Sequence, residues 1–189
     1  ALFGAPMPRQ TETEIANDIN LGTANRTVTT NVNGNTGAMV TAGILSGVIS
    51  GGAGGNLQKN GAGVLILGNA NTHIGNTVLQ DGSLVISKLG NSTGTVSSSL
   101  GASGGSLLFN GNATLNLFYT GPGETSTRPI QLATALTAAR THRIDSSGSG
   151  PLVLGNFQNN TTGNFAMLFE LRGSNTDRNS INSVIGDGV

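Results

Sequence analysis

The stretch that decides the fold is LQKNGAGVLILGNANTHIGNTVLQDGSLVIS, which occupies residues 57–87. It contains short aliphatic or β-branched runs at 64–67, 77–80 and 84–86, each bounded by Gly, Asn or Asp. Those bounding residues favour turns, because they tolerate positive φ or bond to their own backbone. Strands this short need similar turns above and below them. The stretch therefore predicts parallel strands whose inward aliphatic side chains form one continuous column.

The spacing within this stretch also points to a known repeat. The positions that carry it are Leu57, Lys59, Gly61, Gly63, Leu65 and Leu67, followed by Asn71, Thr72, Gly75, Thr77, Gly82 and Leu84. This order resembles the autotransporter-associated β-strand repeat, also called the passenger-associated transport repeat. The resemblance implies a β-helical segment in a secreted bacterial surface protein, without catalytic residues of its own.

The composition independently favours repetitive β-structure. The chain has 30 glycines among 189 residues, one tyrosine and no tryptophan, which is far from ordinary globular usage. Disorder is the competing interpretation, but 36% of the residues are hydrophobic and lie in runs that can be buried. The 9 basic residues balance the 9 acidic ones. Nucleic acids and anionic membranes need clustered Lys and Arg, so both partners are disfavoured.

The chain shows no feature of a membrane-embedded segment. It has no apolar run near the roughly 18 residues that a spanning helix needs, so we expect no membrane insertion by this segment. It lacks cysteine, which is compatible with export. Because it begins with Ala1 rather than Met, we expect a mature product or an excised piece.

We divide the chain into an extended N-terminal tail, 1–11, and a single β-solenoid domain, 12–189. The repeat motif lies at 57–87, and a degenerate second copy is predicted from about residue 128. Three pairs of similar segments, called echoes below, suggest that copy. The spacing between segments differs within the two halves, which predicts loop insertions. The paired segments are 130–132 with 19–21, 143–145 with 26–28, and 169–171 with 65–67.

Several local expectations follow. Residues 88–105 are interpreted as a protruding connection whose large apolar anchors are Val96 and Leu100. In the aromatic pair, Phe118 is expected to cap the core and Tyr119 to lie on the strand surface. The last strand is expected at residues 183–185.

Catalytic and ligand-binding motifs are weak. His73 and His142 have no Cys or carboxylate pair nearby in the sequence to complete a metal site. A triad of His142, Asp145 and one of many serines carries little weight. The glycine run 51–55 lacks both the calcium-ligating Asp of β-rolls and the βαβ setting of a phosphate loop. We predict no catalytic residues, no cofactor and no metal.

The sequence thus predicts an all-β fold, a right-handed parallel β-helix. At roughly 20 residues per turn it would make about nine turns, and at about 4.8 Å per turn a rod roughly 43 Å long. Asn71 and Asn175 are the candidates for turn asparagines whose amides bond along the stack.

The predicted function is that of a non-catalytic extracellular structural or surface-display module at the bacterial cell surface. Neither end shows an obvious polar cap, so we expect head-to-tail self-association into a filament or continuation of a longer repeat array. One alternative is an adhesin that binds a glycan or host protein through loops 88–105 or 121–128. A polysaccharide-degrading enzyme is a further alternative, but it needs clustered carboxylates.

Overall fold

The computed structural model of the chain describes residues 12–32, 42–102, 104–133, 135, 137–162 and 165–185. Regular structure within these ranges is exclusively β-strand. The proposed tail 1–11 and the apolar pair Met39-Val40 lie outside them. No helix capable of crossing a membrane occurs in the described ranges.

The described strands are short, as expected from the frequent turn residues. They are β1 (Glu12–Ile15), β2 (Ile19–Asn20), β3 (Arg26–Thr29), β4 (Ala42–Leu45), β5 (Ile49–Ser50), β6 (Leu57–Asn60), β7 (Val64–Leu67), β8 (Thr77–Leu79) and β9 (Gly82–Ile86). They continue with β10 (Leu107–Phe109), β11 (Leu115–Tyr119), β12 (Glu124–Ser126), β13 (Ile130–Leu132), β14 (Arg140–Ser146), β15 (Leu152–Leu154), β16 (Phe157–Asn159), β17 (Met167–Arg172) and β18 (Ser180–Ile181).

The strands build the walls of a parallel β-helix, which confirms the predicted fold class. A seven-stranded sheet has the order β1-β4-β7-β9-β11-β14-β17, and a six-stranded sheet has β3-β6-β8-β10-β13-β16. Between them lie β2-β5 and β12-β15-β18. All strand pairings are parallel and each sheet follows chain order. Right-handed winding stays a prediction based on the usual hand of such crossovers.

The turns are fewer and longer than expected. Each strand of the seven-stranded sheet belongs to a separate turn, so the described residues form seven turns and not nine. Asn56 and Asn76 bond between neighbouring turns at a separation of 20 residues, whereas Ser83 and Asn116 do so at 33. At about 4.8 Å between strands, the seven-stranded sheet is about 29 Å from first strand to last. On the same count as the predicted nine turns, seven turns give about 34 Å. The prediction of roughly 43 Å was therefore wrong for the described residues, because it ignored insertions between strands.

The core is formed by columns of inward side chains. Leu65, Leu84, Leu117 and Ile144 align in successive strands of the seven-stranded sheet, and none is more than 3% exposed. Leu107, Ile130 and Phe157 form a matching column in the six-stranded sheet. Each buried side chain of this kind contributes on the order of 1.5–3 kcal/mol. These columns are the main cohesive element between turns.

The prediction for the aromatic pair is reversed. The buried positions of β11 are Leu115, Leu117 and Tyr119, so Phe118 faces outward. Tyr119 is 0% exposed, and its hydroxyl oxygen accepts a hydrogen bond from the Gly123 amide at 3.1 Å. Burial raises the pKa of Tyr119 to about 12. Tyr119 therefore belongs to the core and anchors the following turn.

The expected strand at 183–185 is also wrong, because the last described strand is β18 and Val184 is 92% exposed. Of the three echoes, residues 130–132 and 19–20 lie in different sheets, as do 143–145 and 26–28. Residues 169–171 and 65–67 lie in the same seven-stranded sheet. The degenerate second copy from about residue 128 stays a prediction, as does the division into 1–11 and 12–189.

Candidate functional site: polar ladders and a clasped loop at the corners of the turns

An asparagine ladder runs along the corner that leads into the six-stranded sheet. Asn56 donates through Nδ2 to Asn25 Oδ1 at 2.7 Å, and Asn56 Oδ1 accepts from the Asn76 amide at 2.7 Å. Asn76 Oδ1 in turn accepts from the amide of Ser106 at 2.8 Å. The sequence prediction missed this ladder, although each of the three asparagines directly precedes β3, β6 or β8.

Glycines beside this ladder let successive turns approach closely. A Cβ on Gly55 would lie 2.5 Å from the Gly22 carbonyl oxygen, and one on Gly75 would lie 2.3 Å from that of Gly55. A Cβ on Gly105 would lie 2.1 Å from the Gly75 oxygen. Backbone cannot yield as a flexible side chain does, so these positions require glycine. The corner thus repeats Gly followed by a polar residue.

Asn71 has the role predicted from the sequence. It is fully buried, and its Oδ1 accepts from the Ile49 amide of the preceding turn at 2.8 Å. Its Nδ2 donates to the Ser99 carbonyl oxygen of the following turn at 2.7 Å. One amide side chain therefore satisfies buried backbone groups in two neighbouring turns.

Asn175 also bonds along the stack, as predicted. Its Nδ2 donates to the Gly148 carbonyl oxygen at 2.9 Å. The neighbouring Asn179, which the sequence prediction did not single out, accepts from the Leu152 amide at 2.8 Å and from Ser146 Oγ at 2.9 Å. The two residues bind the last described turn to the one before it.

Lys59 occupies an inward position of β6, in register between Val28 and Leu79. It is 0% exposed, and its ammonium donates to the carbonyl oxygens of Asn60, Gly61 and Asp81 at 2.9, 2.5 and 3.0 Å. Burial lowers the pKa of Lys59 to about 8, while the charge of Asp81 acts in the opposite direction. An ammonium has three donors, and the backbone engages all of them. Lys59 therefore joins two turns at a corner.

Arg128, which follows β12, is the second buried cation and is 1% exposed. Its guanidinium clasps the base of the loop 88–105. The carbonyl acceptors are Leu89 at 2.6 Å, Gly105 and Ala102 at 2.7 Å, Gly101 at 3.1 Å and Leu100 at 3.3 Å. Burial lowers the pKa of Arg128 to about 10, against the opposing effect of the Glu124 charge. The guanidinium thus organises the loop from inside the wall.

Glu124 holds the other side of the same loop. Its two carboxylate oxygens accept from the amides of Leu89 at 2.6 Å and Gly90 at 3.1 Å. Ser126 Oγ donates to the carbonyl oxygen of Gly90. Turn and loop are therefore joined by charge-assisted hydrogen bonds to backbone, which are stronger than neutral ones.

The two loops considered for ligand binding are largely built into the solenoid. In 88–105, Leu89 and Leu100 are buried, whereas Val96 is 65% exposed and is not an anchor. The longest exposed part of this loop is the segment 91–97, called the tip below, in which Ser92 and Ser97 are half-buried. Lys88 and Gly104 are exposed as well. The loop 121–128 contains β12 and the buried Ser126 and Arg128. The tip is thus a small exposed segment on a fixed base.

The histidines lie in the core. His142 is inward in β14, aligned between Leu115 and Phe169, and fully buried. Neither of its ring nitrogens has a hydrogen-bond partner among the described residues, and burial lowers its pKa. Asp145 occupies an outward position of the same strand, so the two side chains point to opposite faces. They do not form the triad considered from the sequence.

Cavities occur at both ends of the described solenoid. One of about 280 Å³ is lined by the inward residues Ile144, Leu154 and Leu171. The other, of about 270 Å³, is lined by Ile15, Leu45 and others. Both are open ends of the core. The described ranges contain no group of three or more His, Cys, Asp or Glu side chains that could hold a metal.

Comparison with known proteins identifies one segment. No curated protein and no solved structure shows significant similarity to the chain. A family model, the passenger-associated-transport-repeat, matches residues 57–86. The match spans β6 to β9 and includes Lys59, Asn71 and the Gly75-Asn76 corner. Residues 57–86 thus carry a repeat of β-helical passenger modules, as the resemblance predicted.

Proposed function

We propose that the chain is a non-catalytic structural module of a secreted bacterial surface protein, with a mechanical role as a rigid β-helical spacer or display element. The observation that carries this proposal is the position of the repeat 57–86 within a stack of turns that keep one strand register. Such a stack transmits rigidity because each turn contacts its neighbours continuously.

The use of the buried polar groups supports a structural role. Lys59, Asn71 and Arg128 direct their donors mainly to backbone carbonyls, and each of them reaches a carbonyl of a neighbouring turn. A catalytic site instead gathers perturbed groups around a cleft that substrate can enter. The two end cavities are lined by a mixture of aliphatic and polar side chains, and no His, Asp or Glu is among the described residues that line them. The hydrogen-bonding groups of these buried side chains are therefore used to hold the turns together.

Two measurements test the proposal. Protease treatment of intact source cells, followed by antibody detection of the chain, should remove the signal if the module is displayed outside. Purified chain should show no turnover on a panel of polysaccharides. Retention inside the cells contradicts surface display. Turnover abolished by a single carboxylate substitution contradicts a non-catalytic role.

We also propose that the end faces are covered by further turns, from a longer array or a second copy of the chain. Glu14 and Arg172 occupy one outward column, at opposite ends of the seven-stranded sheet. Continuing that register from β17 onto β1 of another copy would place the two charges on neighbouring strands. Opposite charges at such positions favour pairing.

Sedimentation velocity over a range of concentrations distinguishes end faces covered by a second copy of the chain from end faces covered by further turns of a longer array. Head-to-tail contacts between copies should give open oligomers that grow with concentration. Arg172→Glu should weaken them, and the double variant Glu14→Arg/Arg172→Glu should restore them. A monomer at all concentrations contradicts pairing of copies and leaves continuation of the array.

For the adhesin alternative we propose the tip, 91–97, as the ligand-binding segment of the loop 88–105, because it is the longest exposed stretch of that loop. In the loop 121–128 the candidates are the exposed Pro122, Thr125 and Thr127. Binding of the isolated chain to a glycan array or to cells, lost when the tip is replaced by a two-glycine link, would favour it. Equal binding after replacement would count against it.

A further inference from the structure

Gly101, at the base of the loop 88–105, lies between two basic side chains. Arg128 donates to its carbonyl oxygen at 3.1 Å. On the other side, a Cβ on Gly101 would lie 3.0 Å from both Cδ2 and Cε1 of the His73 ring. One glycine therefore separates a buried imidazole from a buried guanidinium.

His73 also contacts the base of the loop through its backbone. Its carbonyl oxygen accepts from the Ala102 amide at 2.9 Å, and its own amide donates to Ile49 at 3.1 Å. The side chain is 0% exposed, with Nε2 at 3.2 Å from Thr77 Oγ1. The imidazole thus fills a closed space between the preceding turn and the loop.

We propose that His73 and Arg128 form an acid-sensitive latch: protonation of His73 places a second positive charge beside the guanidinium and releases the loop 88–105 from the solenoid wall. The tip, 91–97, then changes from a fixed to a freely moving segment. The latch goes beyond the structural role proposed above, because it makes the mobility of the exposed tip depend on pH.

The surroundings of His73 disfavour a positive charge on its imidazole ring. Among the described residues, the charge that acts on His73 is that of Arg128, across Gly101. The Glu124 carboxylate is bonded to the amides of Leu89 and Gly90. Burial lowers the pKa of His73 to about 4, and the Arg128 charge acts in the same direction. A released loop lets the imidazole return towards its ordinary value of 6.5. The docked state therefore loses stability relative to the released state as pH falls below 6.5.

Release of the loop does not require loss of the solenoid. The flanking strands β9 and β10 pair with β7 and β11, and with β8 and β13, through registers that exclude residues 88–105. The inserted loop can therefore open as a separate unit of lower stability, and its release also breaks the hydrogen bonds from Asn71 to Ser98 and Ser99. Undocking exposes the buried Leu89 and Leu100, which limits it to conditions where His73 is charged.

The test uses a fluorophore on the tip of the full chain. The protein has no cysteine, so Val96→Cys supplies a single labelling site that is 65% exposed. The matched control carries the label at Thr29→Cys, an exposed position of β3. Fluorescence anisotropy is followed from pH 7.5 to 4.0, with far-UV circular dichroism to monitor the strands.

We expect the anisotropy of the tip label to fall in a transition centred between pH 6.5 and about 4, while the control label and the dichroism stay constant. His73→Gln in the tip-labelled chain should abolish this transition, whereas His142→Leu should retain it. If His73→Gln unfolds, His73→Asn replaces it, and a transition that persists in folded His73→Asn contradicts the latch. The His142→Leu variant and the control label separate local release from general loss of structure.

Three results overturn the latch. The first is an anisotropy that stays constant to pH 4.0 in the unsubstituted protein. The second is a fall that coincides with loss of dichroism or appears equally at the Thr29→Cys label. The third is a transition that persists in folded His73→Gln, which assigns the release to another group.

Discussion

Arg128 Nε donates a 2.6 Å hydrogen bond to the carbonyl oxygen of Leu89, a residue 39 positions earlier in the chain. This bond is one of several from the same buried guanidinium to the loop base. It joins two successive turns at the place where the largest described insertion leaves the wall.

Arg128→Met should therefore be strongly destabilising. The substitution leaves several buried carbonyls without a donor, each at a cost of about 1–3 kcal/mol, so we expect a loss of at least about 3 kcal/mol in the free energy of unfolding. Urea unfolding followed by circular dichroism measures it. Arg26→Met, at an exposed arginine, is the control and should change stability by about 0.5 kcal/mol or less. Equal effects of the two would contradict the clasp.

Asn71→Asp tests the bonds between turns with little change of shape. The carboxylate can still accept from the Ile49 amide but cannot donate to the Ser99 oxygen, and it carries a charge into a buried corner. We expect a loss of about 2 kcal/mol or more. Asn175→Asp, at a half-buried site with one bond to Gly148, should cost less. Thermal melting compares them, and a larger effect at Asn175 would refute the argument.

Gly75→Ala should destabilise by collision rather than by loss of a contact. Its Cβ would lie 2.3 Å from the Gly55 carbonyl oxygen, so the turns must move apart, at a cost of about 1–3 kcal/mol. Gly68→Ala is the matched control, because the nearest neighbour of a Cβ on Gly68 would be the Leu45 carbonyl oxygen at 3.6 Å. Urea midpoints of the two variants provide the comparison. A Gly75→Ala protein as stable as Gly68→Ala would show that the corner can relax.

Because the pKa of Lys59 is lowered in the folded state, the free energy of unfolding should increase as pH rises above 8. Its pKa is about 8 in the folded state and 10.5 in the unfolded chain. Between those values the unfolded state binds more protons, so the free energy of unfolding increases with pH. Urea unfolding at pH 8 and 10 should show this increase in the parent and in the exposed control Lys88→Met, but not in Lys59→Met. An unchanged increase in Lys59→Met would assign it to another group.

His142→Leu should stabilise the protein, and more so in acid. The buried imidazole has a lowered pKa, so its protonation favours the unfolded state and stability is lost as pH falls below 6.5. Leucine removes that loss and also two buried nitrogens without partners among the described residues. The gain in urea midpoint over the parent should be greater at pH 5.5 than at pH 7.5. A gain independent of pH would contradict the titration argument.

Local patterns were sufficient for the fold class. Short aliphatic runs separated by Gly, Asn and Asp in 57–87 exclude helices and predict stacked parallel strands, because each strand is too short to stand alone. The role of Asn71 followed from the same pattern, since a polar residue at a repeated corner must bond along the stack. These features depend on residues close together in the sequence.

Other features depended on how the turns align. Whether Phe118 or Tyr119 faces inward follows from the register of β11 against β9 and β14, and a shift of one residue exchanges the two faces. The number of turns could not be read from the sequence, because insertions such as 88–105 lengthen individual turns without changing the strands.

The sequence by itself determined that this chain stacks short parallel strands, because its turn residues and aliphatic runs alternate at a spacing that no helix accommodates. Only the tertiary structure decided which distant residues meet at the corners. Arg128 reaches Leu89, and His73 lies against Gly101, through the winding of the chain. Contacts between turns depend on the summed lengths of the intervening loops, and local sequence preference does not encode that sum.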